Sequence, residues 1–417
     1  HDEATGSAVP APDTGADAAR PQLALAGGTN TDISVHLRSR SSTRLRAHFA
    51  EWGTVWAIAL ASRIGVLVVG LLATYAAQSR GITNYLPIAK SATFIHYQDV
   101  IVHGYNLKNA TEYPLLPGLM YTLNQVGVPL AVGALLVVNI CFLAGIICFA
   151  MLGARYVGKK TAVIAAAYLC VFPTSHFFSL ASTESLMLVG MCGATLAALH
   201  KGGTTRGWLI ATPLAMMCAL SRPPGALVGI VLLAIAVMQL RSKIAPLRGR
   251  ALAAALVCGA SIPASVLGFF YYMKQVTGDA LAPIHAQAQF GRSMSVMGPI
   301  DAVTGSIASV RGGSLGEGFE LAAAFLIAAM LVWFAVRAVG DRYEIAGWTA
   351  FGAASLLMPL ATGIVWQMPR FMLLVPPVFW MLAKVGERRP WVHNALMILL
   401  PMALAFKVVF EVVGVSQ

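Results

Sequence analysis

Several ionisable side chains stand where a mostly apolar chain has no ordinary use for charge. Glu184 opens an apolar run, with Ser182, Thr183 and Ser185 around it and no Lys or Arg close in sequence. An ionisable group at a membrane boundary is a functional candidate by default. The same acid in a first helical turn would also suit the helix dipole, with Thr183 or Ser182 as cap. Arg222 lies in Ser221-Arg222-Pro223-Pro224-Gly225 and Arg370 in Gln367-Met368-Pro369-Arg370-Phe371, each at an apolar boundary. Guanidinium grips phosphate in a fork, so two arginines converging from different helices suit a lipid phosphate or diphosphate. The alternative is a snorkelling arginine, or one paired with Glu112 or Glu184.

Two long polar segments add further candidates. The first carries His96, Tyr97, Asp99, His103 and Tyr105, then Glu112-Tyr113-Pro114. A carboxylate here could take a proton from a sugar hydroxyl, although Tyr and His are also normal in an interfacial aromatic belt. The second carries Lys274, Asp279, His285, Gln287, Gln289 and Arg292 and could cover an active site. Asp99, Glu112 and Glu184 could share a divalent metal, but no ligand spacing demands one, and no metal ligand is assigned. Asn109-Ala110-Thr111 matches a glycosylation acceptor only as a short pattern. No P-loop, GxGxxG, HExxH or Gly-x-Ser-x-Gly elbow is present, which leaves ATPase, nucleotide-cofactor and protease readings without support.

The elements that must position these groups are membrane spans. Hydrophobic residues make up 58% of the 417 and charged ones 11%, against roughly 25% charged in a soluble domain, and mean hydropathy is +0.72. Apolar runs predict an all-α polytopic protein of about eleven transmembrane helices, near 53–77, 128–153, 161–178, 184–200, 207–221, 224–240, 251–272, 318–338, 345–366, 371–386 and 392–414. Residues 1–48 read as a disordered, polar and basic cytoplasmic arm, and 49–417 as the transmembrane domain, with long outer loops at about 78–127 and 273–317.

With the arm bearing Arg38, Arg40, Arg44 and Arg46 inside, alternation leaves eighteen basic residues on the cytoplasmic side and eight outside. The +12 charge is then topology and attraction to anionic headgroups, and no nucleic-acid partner is needed. Arg63, inside the first span, reads as a structural pairing residue, and Lys407 and Glu411 as a neutralising i,i+4 pair. The six cysteines all lie in apolar stretches without ligand spacing and read as small buried hydrophobes.

Five motifs resemble, in order, those of bacterial PIG-V-like mannosyltransferases, membrane enzymes of the GT-C class. They are Ala61-Ser62-Arg63-Ile64-Gly65 in the first span; His103-Gly104-Tyr105 followed by Tyr113-Pro114-Leu115-Leu116-Pro117; Thr183-Glu184-Ser185-Leu186; Ser221-Arg222-Pro223-Pro224-Gly225; and Pro369-Arg370-Phe371. The resemblance spans roughly residues 55–385. Where that family has a Trp-Asp pair ahead of the His-Gly-Tyr, this chain has Ala92-Thr93. Glu112-Tyr113-Pro114 is similar instead to the motif of other polyprenyl-phosphate-dependent actinobacterial GT-C enzymes.

The resemblance implies an inverting glycosyltransferase of the bacterial plasma membrane, acting on its outer face. It would move a sugar, with mannose the expectation, from a polyprenyl-phosphate carrier to an envelope lipid, glycan or protein. Asp99 is the first choice of base, Glu112 the second and Glu184 the third. Arg222 and Arg370 would bind the carrier phosphate, with His96, Tyr97, His103, Tyr113 and Arg292 completing the substrate site. Two alternatives remain open: a lipid-linked-sugar flippase or transporter, and a non-catalytic subunit of an envelope glycosylation complex.

Overall fold

The computed structural model describes residues 30–78, 92–244, 246–292 and 294–413. The disordered-arm expectation for residues 1–29, and the loop residues Arg80 and Lys90, lie outside it. Every regular element among the described residues is helical. The α-helices are α1 (Asn30–Gln78), α2 (Ala92–His103), α3 (Leu115–Gln125), α4 (Leu130–Val157), α5 (Lys159–Val171), α6 (Glu184–Leu199), α7 (Thr205–Ala219), α8 (Val228–Leu240), α9 (Gly249–Thr277), α10 (Ala282–His285), α11 (Gly298–Arg311), α12 (Leu315–Arg337), α13 (Arg342–Leu360), α14 (Met368–Met372), α15 (Pro376–Arg388) and α16 (Pro390–Val413). The backbone of residues 30–48, read from composition as arm, is thus helical. Tertiary contacts divide the chain after Glu51, and Trp52–Gln417 forms one compact unit.

Eleven of these helices match the expected spans: α1, α4 to α9, α12, α13, α15 and α16. Six segments are long and apolar enough to cross a membrane: Glu51–Ala77, Leu130–Val157, Pro223–Leu240, Gly249–Thr277, Leu315–Arg337 and Pro390–Val412. They make the chain a multi-pass membrane protein. The other five fall short of the roughly 20 residues of a full span, α5 and α15 having 13 residues each, α6 16, α7 15 and α13 19.

Proline explains much of the shortening. Pro173 follows α5 and biases Phe172 to an extended backbone, Pro223 and Pro224 follow α7, and Pro376 and Pro377 start α15 late. The stretches left over, 172–183, 220–227 and 361–375, are irregular or one-turn segments, many of whose residues are buried. Irregular backbone at membrane depth is tolerated only where protein covers it or a cavity needs it. All three stretches lead into the same region.

The core runs through the middle of the unit. α6 lies between α4 and α7, α7 also packs on α9, α8 packs on α13, and α15 packs on α5, α12 and α16. Large rings fill the junction of α4, α12, α13 and α15, where Trp380 meets Phe149, Tyr156, Phe334 and Trp348 at centroid distances of 5.2–6.0 Å. Close helix approach at α6 and α7 depends on glycine. A Cβ on Gly190 would stand 2.6 Å from the Cys218 sulfur, and one on Gly225 would stand 1.8 Å from the Cys218 carbonyl oxygen. Gly225 therefore lets the chain after Arg222 fold back tightly over the end of α7.

Candidate active site

Glu184 is fully buried at the start of α6. Arg222 Nη1 and Arg370 Nε each donate to its Oε1 at 2.6 Å, and the Ser182 hydroxyl donates to its Oε2. Arg370 Nη2 donates to Ser182 Oγ at 2.9 Å. The Arg370 guanidinium lies over the Phe177 ring at 3.9 Å, and that of Arg222 over Phe371 at 5.6 Å. One carboxylate therefore braces two arginines and leaves a net positive charge. Both arginine side chains keep 15% exposure. A guanidinium has five N–H donors, and Glu184 is the only hydrogen-bond acceptor Arg222 meets among the described residues. The site is braced but open. Neither Thr183 nor Ser182 caps the helix, which corrects that alternative: Thr183 sits at the cap position without a side-chain hydrogen bond, and Ser182 is turned to the carboxylate.

The three irregular stretches hold this arrangement together. The Leu115 N–H donates to the Leu220 carbonyl at 3.2 Å, tying the segment after Glu112 to the one before Arg222. The Thr174 hydroxyl donates to the Pro369 carbonyl at 2.9 Å, tying the Glu184 side to the Arg370 side. Arg63 fills the structural role its position suggested, though with main chain as its partner. Its guanidinium donates to the carbonyls of Ser175 and Cys170 at 2.7 and 2.8 Å and to the Ser179 hydroxyl at 3.1 Å. A deep arginine thus satisfies the carbonyls that the break at Pro173 leaves unpaired.

Glu112 joins the cluster from the connection between α2 and α3. The buried Tyr97 lies close to its carboxyl, and His96, Arg370 and Arg222 all lie near enough to act on it electrostatically. Burial outweighs these neighbours and pushes the Glu112 carboxyl above the usual carboxylate range. Arg292 approaches from the other long connection, stacked on Trp366 at 5.4 Å. Partial burial lowers the pKa of this guanidinium, as does the charge of Arg222 and Arg370. Three arginines and two carboxylates thus share one region, and the sequence-predicted Arg222, Arg370, Arg292, Glu112, Glu184, Tyr97 and His96 meet there.

Asp99, His103 and Tyr113 have other partners. Asp99 is 41% exposed and accepts from Asn109 Nδ2 at 2.7 Å, with His103 Nδ1 at 2.8 Å from its other oxygen. These two hydrogen bonds, that from Asn109 foremost, hold its carboxyl below the ordinary range. It shapes the turn after α2, where Asn109 Nδ2 also reaches the Gly104 carbonyl at 3.0 Å. Asn109 is almost fully buried, so the glycosylation pattern is structural in this fold. Tyr113 is buried against Phe269 at 5.1 Å. Among the described residues no three or more His, Cys, Asp or Glu side chains gather to hold a metal, and Glu184 is already engaged by two arginines.

Sequence reasoning missed the part played by Ser182 as a bridge between Glu184 and Arg370, and by Phe177 and Phe371 as platforms. It also missed Glu320 of α12, whose Oε2 accepts the Met368 N–H at 2.6 Å. No local pattern signals these contacts, because Glu320 and Met368 lie 48 positions apart and Ser182 and Arg370 188.

Fold and site together define a multi-pass helical membrane protein with an arginine-rich, acid-bearing cluster where its irregular stretches meet. No family model matches the chain, and no curated protein matches it in sequence. Solved structures similar to it include ArnT from Cupriavidus metallidurans bound to undecaprenyl phosphate, at 15% identity and a TM-score of 0.47, covering 79% of this chain and 61% of that one. The archaeal oligosaccharyltransferase AglB from Archaeoglobus fulgidus, in complex with an inhibitory peptide and a dolichol-phosphate, is 13% identical with a TM-score of 0.47, over 88% and 56%. An Archaeoglobus fulgidus oligosaccharyltransferase complex with Zn and sulfate is 13% identical with a TM-score of 0.45, over 86% and 52%. The chain thus spans between half and two thirds of the length of these structures.

Proposed function

We propose that this protein is an inverting membrane glycosyltransferase that moves a sugar, mannose by motif resemblance, from a polyprenyl-phosphate carrier to an envelope acceptor. The observation that carries the reading is the braced arginine pair: Arg222 and Arg370 held on one oxygen of buried Glu184, two cations to one carboxylate, each side chain still 15% exposed. A buried ion pair that served stability alone would balance its charges, as Arg155 and Glu344 do. Here the surplus charge suits the phosphate of a lipid carrier, and Arg292 adds a third cation.

In this reading Glu112, in place of Asp99, is the base. It has the arginines beside it and a carboxyl tuned upward, toward the operating pH at which a general base works best. Glu112 takes the proton of the acceptor hydroxyl. The acceptor oxygen forms its bond to the anomeric carbon as the bond from that carbon to the phosphate oxygen breaks. The leaving phosphate keeps the electron pair and is stabilised by the guanidinium groups, so no proton need reach it. Tyr97 stands beside Glu112, and Asp99 keeps the turn that carries the segment in place. The basic residues of the arm and loops support an extracytoplasmic face for this site.

The flippase alternative needs polar groups along a path through the membrane. A second buried carboxylate, Glu344 at the far end of α4, is charge-balanced by one arginine, as described below, and that favours the enzyme. Purified protein in nanodiscs, given radiolabelled polyprenyl-phosphate-mannose and a membrane extract of acceptors, should transfer label. Glu112→Gln should abolish transfer and Asp99→Asn should preserve it. Carrier binding without transfer to any acceptor would instead favour the flippase or a non-catalytic subunit.

A further inference from the structure

Arg370 sits on a short helix whose start is built in an unusual way. Gln367, at the N-cap of α14, has a left-handed backbone (φ 66°, ψ 24°) although it is not glycine. Such a conformation is costly for a residue with a Cβ and persists only where surroundings enforce it. Gln367 cannot cap the helix with its own side chain, because its Oε1 faces Arg370 Nη1 at 3.4 Å. The cap comes from another helix. Glu320 of α12 accepts the Met368 N–H at 2.6 Å and lies close enough to the Gln367 N–H to interact with it as well. The Gln367 carbonyl in turn receives the N–H groups of Arg370 and Phe371 at 3.0 and 3.1 Å.

We infer that Glu320 is a positioning residue for Arg370: it caps α14 in trans, enforces the left-handed turn at Gln367 and so fixes the direction in which the guanidinium leaves the helix. The inference rests on the reading of Arg370 as a phosphate ligand. It adds that the phosphate site is held from two sides. Glu184 anchors the guanidinium itself, and Glu320 anchors the backbone beneath it. A ligand that needs a preorganised fork loses affinity when either anchor goes. Glu320 has no part in proton transfer here, since its carboxylate is turned to main-chain N–H groups.

The test is a double-mutant cycle on the full chain in nanodiscs, with undecaprenyl phosphate as the binding probe. Glu320→Ala should weaken probe binding about tenfold, the scale expected when a charged hydrogen bond is lost. Glu320→Gln, whose amide oxygen can still accept, should stay within about twofold. In an Arg370→Ala background Glu320→Ala should add almost nothing, because both act through one group. Hydrogen exchange of the Met368–Met372 amides, read without ligand, should accelerate in Glu320→Ala and return toward the parent rate in Glu320→Ala with Gln367→Gly, since glycine adopts the left-handed turn unaided.

Unchanged exchange in Glu320→Ala, or a full tenfold loss on top of Arg370→Ala, overturns the positioning role. Arg370→Ala that leaves probe binding intact while exchange responds as expected would overturn the phosphate reading instead. Glu320→Asp, with its acceptor withdrawn by one methylene, carries the same comparison if the alanine variant does not fold.

Discussion

Two buried glutamates meet arginines in this protein, at opposite ends of α4. The early part of α4 packs beside the Glu184 segment, with Phe142 against Phe178 at 4.9 Å. Its last turn carries Arg155 and Tyr156, which meet Glu344 of α13. Glu344, also fully buried, accepts Arg155 Nε at 2.7 Å and Nη2 at 2.5 Å and the Tyr156 hydroxyl at 2.9 Å. The same hydroxyl receives Trp348 Nε1 at 3.2 Å. One carboxylate, one bidentate arginine and a phenol cancel in charge and use the acceptors available. At Glu184 the ratio is reversed: two arginines share a single carboxylate oxygen and keep donors to spare. Identical residue types thus make a charge-balanced clamp at one end and an arrangement with surplus positive charge at the other. Stoichiometry separates the two arrangements; burial of the carboxylate does not.

The largest expected effect tests the acid that joins Glu184 at its end, Glu112. Glu112→Gln should lower transfer about a hundredfold or more while leaving carrier binding nearly intact, as measured by label transfer and probe binding on one preparation. An undiminished rate would return the base to Asp99. Next come the clamps themselves. Removing one partner of a buried ion pair costs about 3–5 kcal/mol, so Glu184→Ala and Glu344→Ala should both lower the melting temperature in detergent. The loss at Glu344 should fall at the lower end, because its arginine is 46% exposed and screened by solvent. Only Glu184→Ala should also weaken carrier binding, and equal losses of binding in both variants would erase the distinction between the two ends.

A substitution that keeps charge but removes the fork sharpens the contrast. Arg222→Lys should weaken carrier binding by about tenfold, whereas Arg155→Lys should leave it unchanged, since ammonium cannot grip phosphate bidentately. The pH profile comes next in size. A base works deprotonated, and the Glu112 carboxyl is raised by burial. Activity should therefore climb with pH through a value above the ordinary carboxylate range and fall below it, and Glu112→Gln should remove that limb. For stability the sign is opposite. In the window between the ordinary and the raised value the folded state holds the proton that the unfolded chain has released, so this group's contribution declines as pH rises. The smallest effect is that of Asp99→Asn, with a change in transfer below about threefold, since its exposed carboxylate serves the turn after α2.

Much of this could be read from residue types. The eleven helices, the candidate acids and the two Pro-flanked arginines are legible because lipid forces long apolar runs and makes every stray charge conspicuous. Helix ends at Pro173 and Pro223 were visible as breakers, but their consequence was not. The shortened α5 and α7 leave backbone that only Arg63, Gly225 and neighbouring segments can satisfy, and those partners come from elsewhere in the chain. The ranking of bases shows the same limit. Asp99 and Glu112 lie thirteen positions apart in one polar stretch and are equivalent by composition.

What the sequence determined by itself was class and inventory: a polytopic helical chain with acids, arginines and aromatic residues concentrated at a few span boundaries. This much follows from local energetics, since each residue's transfer into lipid is costed one at a time. Tertiary structure alone decided which acid braces arginines and which shapes a turn, that Glu184 serves two cations while Glu344 serves one, and that Glu320 caps the helix of Arg370. Those outcomes are set by distances of a few ångströms between residues up to 189 positions apart, and hydrogen-bond geometry at that scale has no signature along the chain.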